Sequence, residues 1–195
     1  MGSDDAGVAW LVRHGETEWA RTGRHTSVTD VPLTAAGEAD ARALAPLLGR
    51  ERFGRVLTSP RRRARETAAL AGFPDATVDE DLQEWRYGAY EGLTTEQIRA
   101  RDPGWTIWAR GAPGGESPEA IAARLDRLIE RLRQGPGPVL CVGHGHALRA
   151  LGARWIGEPV SLGAALALEP AGVCVLAYDR GVPQLTHWNL SPADR

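Results

Sequence analysis

The sequence predicts an α/β fold in which helices cover both faces of a mostly parallel central sheet. Two observations carry this prediction. Short apolar runs alternate along the chain with segments whose apolar residues recur at helical spacing, and glycines, prolines and charged residues separate the two kinds of segment. Strands that alternate with helices are joined by crossovers, which favour parallel pairing. The 195 residues contain no repeat, low-complexity segment or linker, so residues 1–195 are predicted to form a single domain.

The first part of the chain contains three predicted strands and two predicted helices. The strands are Val8–Val12, Arg55–Thr58 and Thr77–Asp79. Thr34 is the predicted N-cap of a helix that runs to about Leu48. Ser59 and Pro60 open the next helix, which ends at about Ala71.

A long irregular region, about residues 85–117, separates this part from the rest of the chain. Glycine and proline recur throughout it, and only one short helix, about Thr95 to Arg101, is predicted inside. An irregular stretch of this length in a compact domain is typically functional, so we expect it to form a lid.

The last part of the chain begins with a helix capped by Ser117, whose apolar stripe runs from Ile121 to Leu132. A strand at Pro138–Gly143 and a helix at about Ala147 to Ile156 follow. Two or three final strands are predicted, at about Ala165–Leu168, Val173–Tyr178 and Gln184–His187.

All 23 basic Lys and Arg residues of the chain are arginines. The lack of lysine excludes Schiff-base chemistry on lysine, a Walker-A lysine and a lysine general base. Any anion held by side-chain cations must therefore be held by arginine or protonated histidine. The formal net charge of −2 provides no electrostatic reason to expect a nucleic-acid or membrane partner.

The cysteines and the start of the chain favour a cytoplasmic location. Cys141 and Cys174 lie inside apolar runs, so we expect buried free thiols in a reducing compartment. Met1–Gly7 is acidic and lacks the apolar region of a signal peptide. The apolar runs are far shorter than a membrane span.

Charged and polar residues follow four of the predicted strands. The segment from Arg13 to Glu16 follows the first strand, Ser59 and an arginine-rich helix follow the second, Glu84 comes after the third, and His144-Gly145-His146 follows the fourth. Because the carboxyl ends of parallel strands meet at one edge of a sheet, these residues are predicted to form one site.

These residue types suit phosphoryl transfer. A neutral imidazole such as that of His14 can attack phosphorus if its second nitrogen donates to a fixed carbonyl. Arginines suit the three equatorial oxygens of a phosphoryl group in transfer, and a buried carboxylic acid such as Glu84 can protonate the leaving oxygen. No CxxC or HExxH spacing occurs, so neither a metal nor another cofactor is predicted.

Each of these elements also has a structural interpretation. Arg13-His14-Gly15 is compatible with an ordinary turn, the arginines at 61–65 with a solvated helix face, and Glu84 with a surface carboxylate. His144 and His146 are compatible with capping or core histidines. Their joint placement after successive strands favours function.

Four segments resemble the motifs of the histidine phosphatase superfamily, in its phosphoglycerate mutase-like branch. They are Leu11–Trp19, Thr58–Thr67, the stretch from Leu82 to Gly92, and Val142–Arg149. The resemblance implies a three-layer α/β/α fold of the phosphoglycerate mutase type. It also implies that His14 becomes phosphohistidine, that Glu84 is the acid and base, and that Arg13, Arg63 and His144 hold the phosphoryl group.

The chain departs from the mutases of that branch in ways that favour hydrolysis. Ala20, Trp85 and Thr95 stand where the mutases carry asparagine, arginine and lysine, and the long arginine-bearing insertion of the mutases is absent. The resemblance therefore implies a phosphatase, with a mutase or a non-catalytic binding member as the alternatives. The stretch from Glu84 to Thr95, with Trp105 and Trp108, is similar to phosphatases of sugar phosphates, sugar bisphosphates and phosphoglycerate derivatives.

The resemblance also indicates substrate-binding candidates. Thr26 and Ser27 occupy the substrate-loop position, where the family carries Thr-Gly, and Gly145 is expected to add a backbone N–H. His25 and His146 are expected on the substrate side. Trp85 and Tyr87 either line a sugar pocket or pack within the lid. The expected partners are a small phosphate ester and the product inorganic phosphate, and a homodimer is compatible with the sequence.

Overall fold

A computed structural model describes residues 7–191 of the chain. The residues before Gly7, where the sequence predicts no signal peptide, and residues 192–195 lie outside this range. The strands of the described range are β1 (Ala9–Arg13), β2 (Arg55–Thr58), β3 (Thr77–Val78), β4 (Val139–Gly143), β5 (Val173–Asp179) and β6 (Val182–Leu190). They form one sheet in the order β3-β2-β4-β1-β5-β6, in which β3, β2, β4 and β1 are parallel. The last two strands run antiparallel to their neighbours, so the sheet is mixed but mostly parallel, as predicted.

The helices connect the strands and flank the irregular region. They are α1 (Glu18–Arg21), α2 (Ala35–Ala43), α3 (Ala45–Leu48), α4 (Arg62–Leu70), α5 (Thr95–Arg99), α6 (Ile107–Arg110), α7 (Pro118–Arg133) and α8 (Gly145–Trp155). Short 3-10 turns cover Glu80–Leu82, Gly88–Tyr90 and Val160–Ala165. Between residues 7 and 191, no helix has the length and apolarity needed to cross a membrane.

Alternate residues of the central strands pack into two separate cores, one on each face of the sheet. Leu11 of β1 and Cys141 of β4 pack with the apolar stripes of α7 and α8. Val12 and Val142, the next residues along each strand, pack with α3 and α4. Successive side chains of a strand point to opposite faces, so both faces of the sheet are covered. This arrangement confirms the predicted three layers.

Two helix boundaries differ from the prediction. The helix capped by Thr34 is interrupted at Leu44, because Pro46 has no N–H to continue the hydrogen-bond ladder. Ser59 does not cap the next helix. Its N–H donates to the carbonyl of Val142, so it extends the pairing of β2 with β4, and α4 begins later, at Arg62.

The predicted strand at Ala165–Leu168 is wrong. The chain there leaves the 3-10 turn Val160–Ala165 and continues as irregular backbone, in which the Leu168 carbonyl accepts from the Arg13 side chain instead of from a neighbouring strand. Short helices that the sequence analysis did not predict lie at α1, capped by Thr17, and α6, capped by Thr106.

The irregular region 85–117 packs on the α7 side of the sheet. Trp85, Ile98, Trp105 and Ile107 are buried in the same core as the stripe of α7. The backbone of Thr94 also pairs with that of Arg24, which joins this region to the loop between α1 and α2.

Candidate active site

The site forms where the two central strands end. Arg13 of β1 and Gly143 of β4 are register partners, and the N–H of His14 donates to the carbonyl of Gly143 at 2.9 Å. His14 and His144 therefore leave the sheet side by side, with ring centroids 5.1 Å apart. The sheet register itself sets the spacing of these two histidines.

His14 is held in one tautomer by contacts on both ring nitrogens. Nδ1 lies 2.7 Å from the carbonyl oxygen of Gly15, which can only accept, so Nδ1 carries the proton. Nε of Arg63 donates to Nε2 at 3.3 Å, so Nε2 presents a lone pair. Burial, and then the charges of Arg63 and Arg13, hold the pKa of His14 well below its ordinary value. The ring is therefore neutral, with Nε2 as its nucleophilic atom.

The turn that supplies the Gly15 carbonyl is tightly packed. The Gly15 N–H donates to the hydroxyl of Thr67 on α4 at 3.0 Å. A Cβ atom at Gly15 would lie only 2.4 Å from the carbonyl oxygen of Gly37 on α2. Only glycine fits this approach, so α2 and α4 together fix the turn that orients His14.

Arg63 is fully buried and is held by the loop that precedes α2. Its terminal nitrogens donate to the carbonyls of Thr29, Thr26 and Ser27 at 3.0, 3.1 and 3.3 Å. Backbone carbonyls are neutral, so the guanidinium is positioned without losing its net charge. Its Nε remains directed at His14.

Glu91 anchors that loop from the irregular region. Its carboxylate accepts from the Ser27 N–H at 2.8 Å, from the Ser27 hydroxyl at 2.5 Å and from the Thr29 N–H at 3.0 Å. These hydrogen bonds outweigh partial burial and lower the pKa of Glu91. A chain of contacts thus runs from Glu91 through the loop to Arg63 and His14.

Arg13 contributes a second buried cation. One terminal nitrogen donates to the Leu168 carbonyl at 2.6 Å, while its buried Nε has no hydrogen-bond partner among residues 7–191. A Cβ atom at Gly145 would lie 3.3 Å from that Nε, so the backbone of Gly145 lies against the guanidinium.

Glu84 lies at the N-terminus of α8. Its carboxylate accepts from the N–H groups of Trp85 and Ala147 at 2.8 Å and of His146 at 3.1 Å. Burial nevertheless raises the pKa of Glu84, against the opposing effect of these hydrogen bonds. A buried carboxyl group with a raised pKa beside a nucleophile is suited to donate a proton.

His14 and Glu84 line a cavity of about 250 Å³ together with Arg13 and Gly145. The predicted substrate-side residues His25, Thr26, Tyr87 and His146 line the same cavity. The Tyr87 hydroxyl lies 2.7 Å from Nδ1 of His146, and burial lowers the pKa of His25 to about 4. The cavity is thus lined by the candidate reacting groups of His14 and Glu84 and by the uncharged, hydrogen-bonded rings of His25, Tyr87 and His146.

Some of the predicted site residues do not reach the cavity wall. Trp85 is fully buried, donates Nε1 to the Glu116 carbonyl at 2.9 Å and packs edge-on against Trp108. This placement corrects its assignment as a substrate contact in favour of lid packing, because a buried indole presents no surface to a ligand. Ser27 is only 3% exposed, and its hydroxyl bonds Glu91. Arg63 and His144 are fully buried but both contact His14, Arg63 through Nε2 and His144 edge-on against the ring.

The cavity also contains arginines to which the sequence analysis gave no role. Arg24 lines it from the loop after α1, and Arg149 lines it from α8, one turn beyond Gly145. The four-residue spacing from Gly145 to Arg149, which puts both residues on one face of a helix, was the available signal for Arg149.

Known proteins resemble this chain along nearly its whole length. The family model described as histidine phosphatase superfamily (branch 1) matches residues 9–191. An acid phosphatase of Mycobacterium tuberculosis is 41% identical over 179 residues, covering 90% of this chain and 88% of that protein. A solved structure of an open reading frame product from Mycobacterium tuberculosis has a TM-score of 0.89 and 40% identity, and the match covers 95% of this chain and 98% of that one.

Two further relatives bear other names. A sedoheptulose 1,7-bisphosphatase of Saccharomyces cerevisiae is 35% identical and covers 75% of this chain and 66% of that protein. A 2,3-bisphosphoglycerate-dependent phosphoglycerate mutase of Gloeobacter violaceus is 36% identical and covers 72% of each protein. All of these names belong to the family that the four motif segments predict.

Proposed function

This chain belongs to the histidine phosphatase superfamily, branch 1, and on that basis we propose that it is a metal-independent phosphatase of small phosphomonoesters that acts through a phosphohistidine on His14. The relatives named phosphatases support hydrolysis as the reaction. The expected substrates are sugar phosphates, sugar bisphosphates or phosphoglycerate derivatives.

The observation that carries this proposal is the fixed tautomer of His14. Nε2 attacks phosphorus, the Nε2–P bond forms, and the bond from phosphorus to the ester oxygen breaks. The Gly15 carbonyl at Nδ1 stabilises the positive charge that the ring gains. No proton has to leave Nε2 first, because the low pKa keeps the ring neutral.

Glu84 completes both half-reactions. Its carboxyl proton passes to the departing ester oxygen, so the product leaves as an alcohol. The resulting carboxylate then takes a proton from water as the water oxygen attacks phosphorus. The Nε2–P bond breaks, and inorganic phosphate is released.

The phosphoryl group carries negative charge that is spread over its oxygens during the transfer. We propose that Arg13, Arg63 and His144 bind these oxygens, with the backbone of Gly145 beside them. Arg63 already donates to Nε2, so a phosphoryl oxygen that arrives there accepts the same N–H. Preoriented donors of this kind stabilise developing charge without reorganisation.

A mutase is the alternative from another reaction class. A mutase must retain its product for a second transfer, and the resemblance assigns that task to residues that are absent here. Ala20 and Thr95 line the cavity and carry no charge, and Trp85 is buried. These features favour release of the product and attack by water.

We also propose a cytoplasmic location, supported by the two free, buried cysteines, and a single-domain enzyme, supported by the one sheet to which all six strands of residues 7–191 belong. The expected homodimer remains a prediction.

Phosphate release from p-nitrophenyl phosphate at about pH 6 tests the proposal. The wild type should turn over and form an acid-labile phosphohistidine that is trapped on rapid quenching, whereas His14→Ala should do neither. Incubation with 3-phosphoglycerate and 2,3-bisphosphoglycerate tests the alternative. Formation of 2-phosphoglycerate without phosphate release from any ester would establish the mutase instead, and equal hydrolysis by His14→Ala would refute the phosphohistidine.

A further inference from the structure

Arg149 is a half-buried cation in the cavity that the proposed mechanism does not use. Its Nε and one terminal nitrogen donate to the carbonyls of Gly163 and Ala164 at 2.8 and 3.0 Å. Its guanidinium carbon stacks over the Trp108 ring at 4.8 Å from the centroid. The side chain is therefore fixed in position.

The way Arg149 is held resembles the way the phosphoryl-binding arginines are held. Arg13 and Arg63 are also held by backbone carbonyls. Carbonyls position a guanidinium but leave its net charge for another ligand. In contrast, Arg124 and Arg131, outside this cavity, pair with carboxylates, as do many of the surface arginines.

The cavity has more positive charge than one phosphoryl group requires. Arg13, Arg24 and Arg149 line it, whereas Glu84 is its only lining carboxylate within the described residues. None of the three arginines lies within ion-pair distance of a carboxylate in that range. Because the mechanism uses Glu84 as a proton donor, that side chain does not neutralise them when substrate binds.

A buried cation without a partner anion is costly, and burial lowers the pKa of Arg149 accordingly. The Arg149 guanidinium is held at the carbonyls of Gly163 and Ala164, whereas that of Arg13 is held at the carbonyl of Leu168, so the two cations occupy different parts of the cavity wall. Two cations held separately in one cavity suit two anionic groups on the same small molecule.

We propose that the substrate carries a second anionic group, a phosphate or a carboxylate, and that Arg149 binds it with Arg24 as a further cation at the cavity wall. This inference rests on the proposed function and narrows its substrate class to doubly anionic phosphate esters. Arg149 is thereby the main residue that determines the preference for doubly anionic over singly anionic esters.

Two matched substrate pairs test the proposal. Fructose 1,6-bisphosphate and fructose 6-phosphate differ by a second phosphate, and 3-phosphoglycerate and glycerol 3-phosphate differ by a carboxylate. The wild type should prefer the doubly anionic member of at least one pair by about tenfold or more in kcat/KM, as expected for one charge-assisted contact. The pair that shows the preference identifies the second group.

Substitutions then show which residues cause the preference for the doubly anionic ester. Arg149→Gln should reduce the preference by about tenfold, and Arg24→Gln, at an exposed position, should reduce it by about threefold without the risk of misfolding. Arg65→Gln removes an exposed arginine of α4 that lies outside the cavity, so it should leave every kcat/KM value unchanged.

Equal losses on both members of each pair in Arg149→Gln would overturn the proposal, as would a wild type without preference in either pair. Equilibrium binding of the same esters to His14→Ala separates the two hypotheses. Absence of turnover in the wild type would contradict the proposed function, whereas equal dissociation constants within both pairs would contradict the second anion site.

Discussion

The hydroxyl oxygen of Ser59 lies 2.7 Å from Nε2 of His144, while Nδ1 of the same buried ring has no hydrogen-bond partner among residues 7–191. The N–H of Arg61 donates to the same hydroxyl oxygen at 3.3 Å, and we expect the Ser59 proton to be donated to Nε2. Burial lowers the pKa of His144 well below its ordinary value, so the ring is neutral. A neutral ring that accepts at Nε2 carries its proton on Nδ1. We therefore propose that Ser59 makes Nδ1 the donor that His144 offers to a phosphoryl oxygen.

Ser59→Ala should reduce kcat by about tenfold to hundredfold, because His144 loses the group that selects its tautomer. Nitrogen chemical shifts of the His144 ring, measured by NMR, should change from a protonated Nδ1 to a mixture of tautomers. Ser59→Thr, which keeps the hydroxyl, should retain both the shifts and most of the activity. Unchanged shifts in Ser59→Ala would mean that the serine only fills space.

Glu84→Gln should affect esters with poor leaving groups most. An alkyl oxygen needs a proton to depart, and general acids contribute about 10²–10⁴-fold to such steps. A nitrophenolate leaves without one. We expect the loss in the rate of phosphoenzyme formation, measured in single-turnover experiments, to be at least about tenfold larger for glycerol 3-phosphate than for p-nitrophenyl phosphate. Equal losses would show that Glu84 is not the acid.

The pH dependence of kcat/KM should follow from the two shifted groups. His14 is active when unprotonated, and its lowered pKa moves the acidic fall in activity to a pH well below 6.5. Glu84 is active when protonated, and its raised pKa moves the alkaline fall to a pH above 4.5. The value of kcat/KM should thus be highest between these two falls. In Glu84→Gln the alkaline fall due to this carboxyl group should disappear, once the titration of the substrate has been subtracted.

Glu91→Gln should weaken both stability and activity. The amide oxygen can take the place of Oε1 and accept from the Ser27 and Thr29 N–H groups, but these bonds lose the charge of the carboxylate, and the NH2 group replaces Oε2 as the partner of the Ser27 hydroxyl. The free energy of unfolding should fall by about 1–3 kcal/mol in urea denaturation. The value of kcat/KM should fall as well, because the loop that holds Arg63 loosens. Glu96→Gln, at an exposed position of α5, is the matched control and should change neither quantity.

The sequence predicted the fold and the reacting groups because both depend on local patterns. The buried strands β1 and β4 are apolar on both faces, and His14, Glu84 and His144 all follow strands or the turn after a strand. Ser59 was misassigned because Ser-Pro is a helix-start signal, whereas its N–H pairs across the sheet with Val142. The helical spacing from Gly145 places Arg149 on the site face of α8, but the Gly163 carbonyl that holds it is distant in sequence, as are the partners of Glu91, so no local pattern contains these contacts.

Two glycines of the irregular region allow a test of how firmly it is packed. Gly88 has a φ of +49°, and a Cβ atom there would lie 2.2 Å from the Pro113 carbonyl oxygen. Gly114 has a φ of +68° but open space around it. Gly114→Ala should cost about 1–2 kcal/mol of unfolding free energy from backbone strain alone, and Gly88→Ala should cost clearly more. Equal costs would show that residues 85–117 shift to accept the methyl group.

The position of β1 and β4 in the middle of the sheet has a consequence for the order in which parts of the protein unfold on heating. His14 and His144 follow directly from the two innermost strands, whose backbone amides are expected to exchange with solvent only on global unfolding. Arg24 stands in an exposed loop, which is expected to open at a much lower free energy. Opening of this loop also releases the carbonyls of Thr26, Ser27 and Thr29 that hold Arg63. Warming should therefore lower both the choice between substrates and the rate of turnover while the sheet that carries His14 and His144 is still folded.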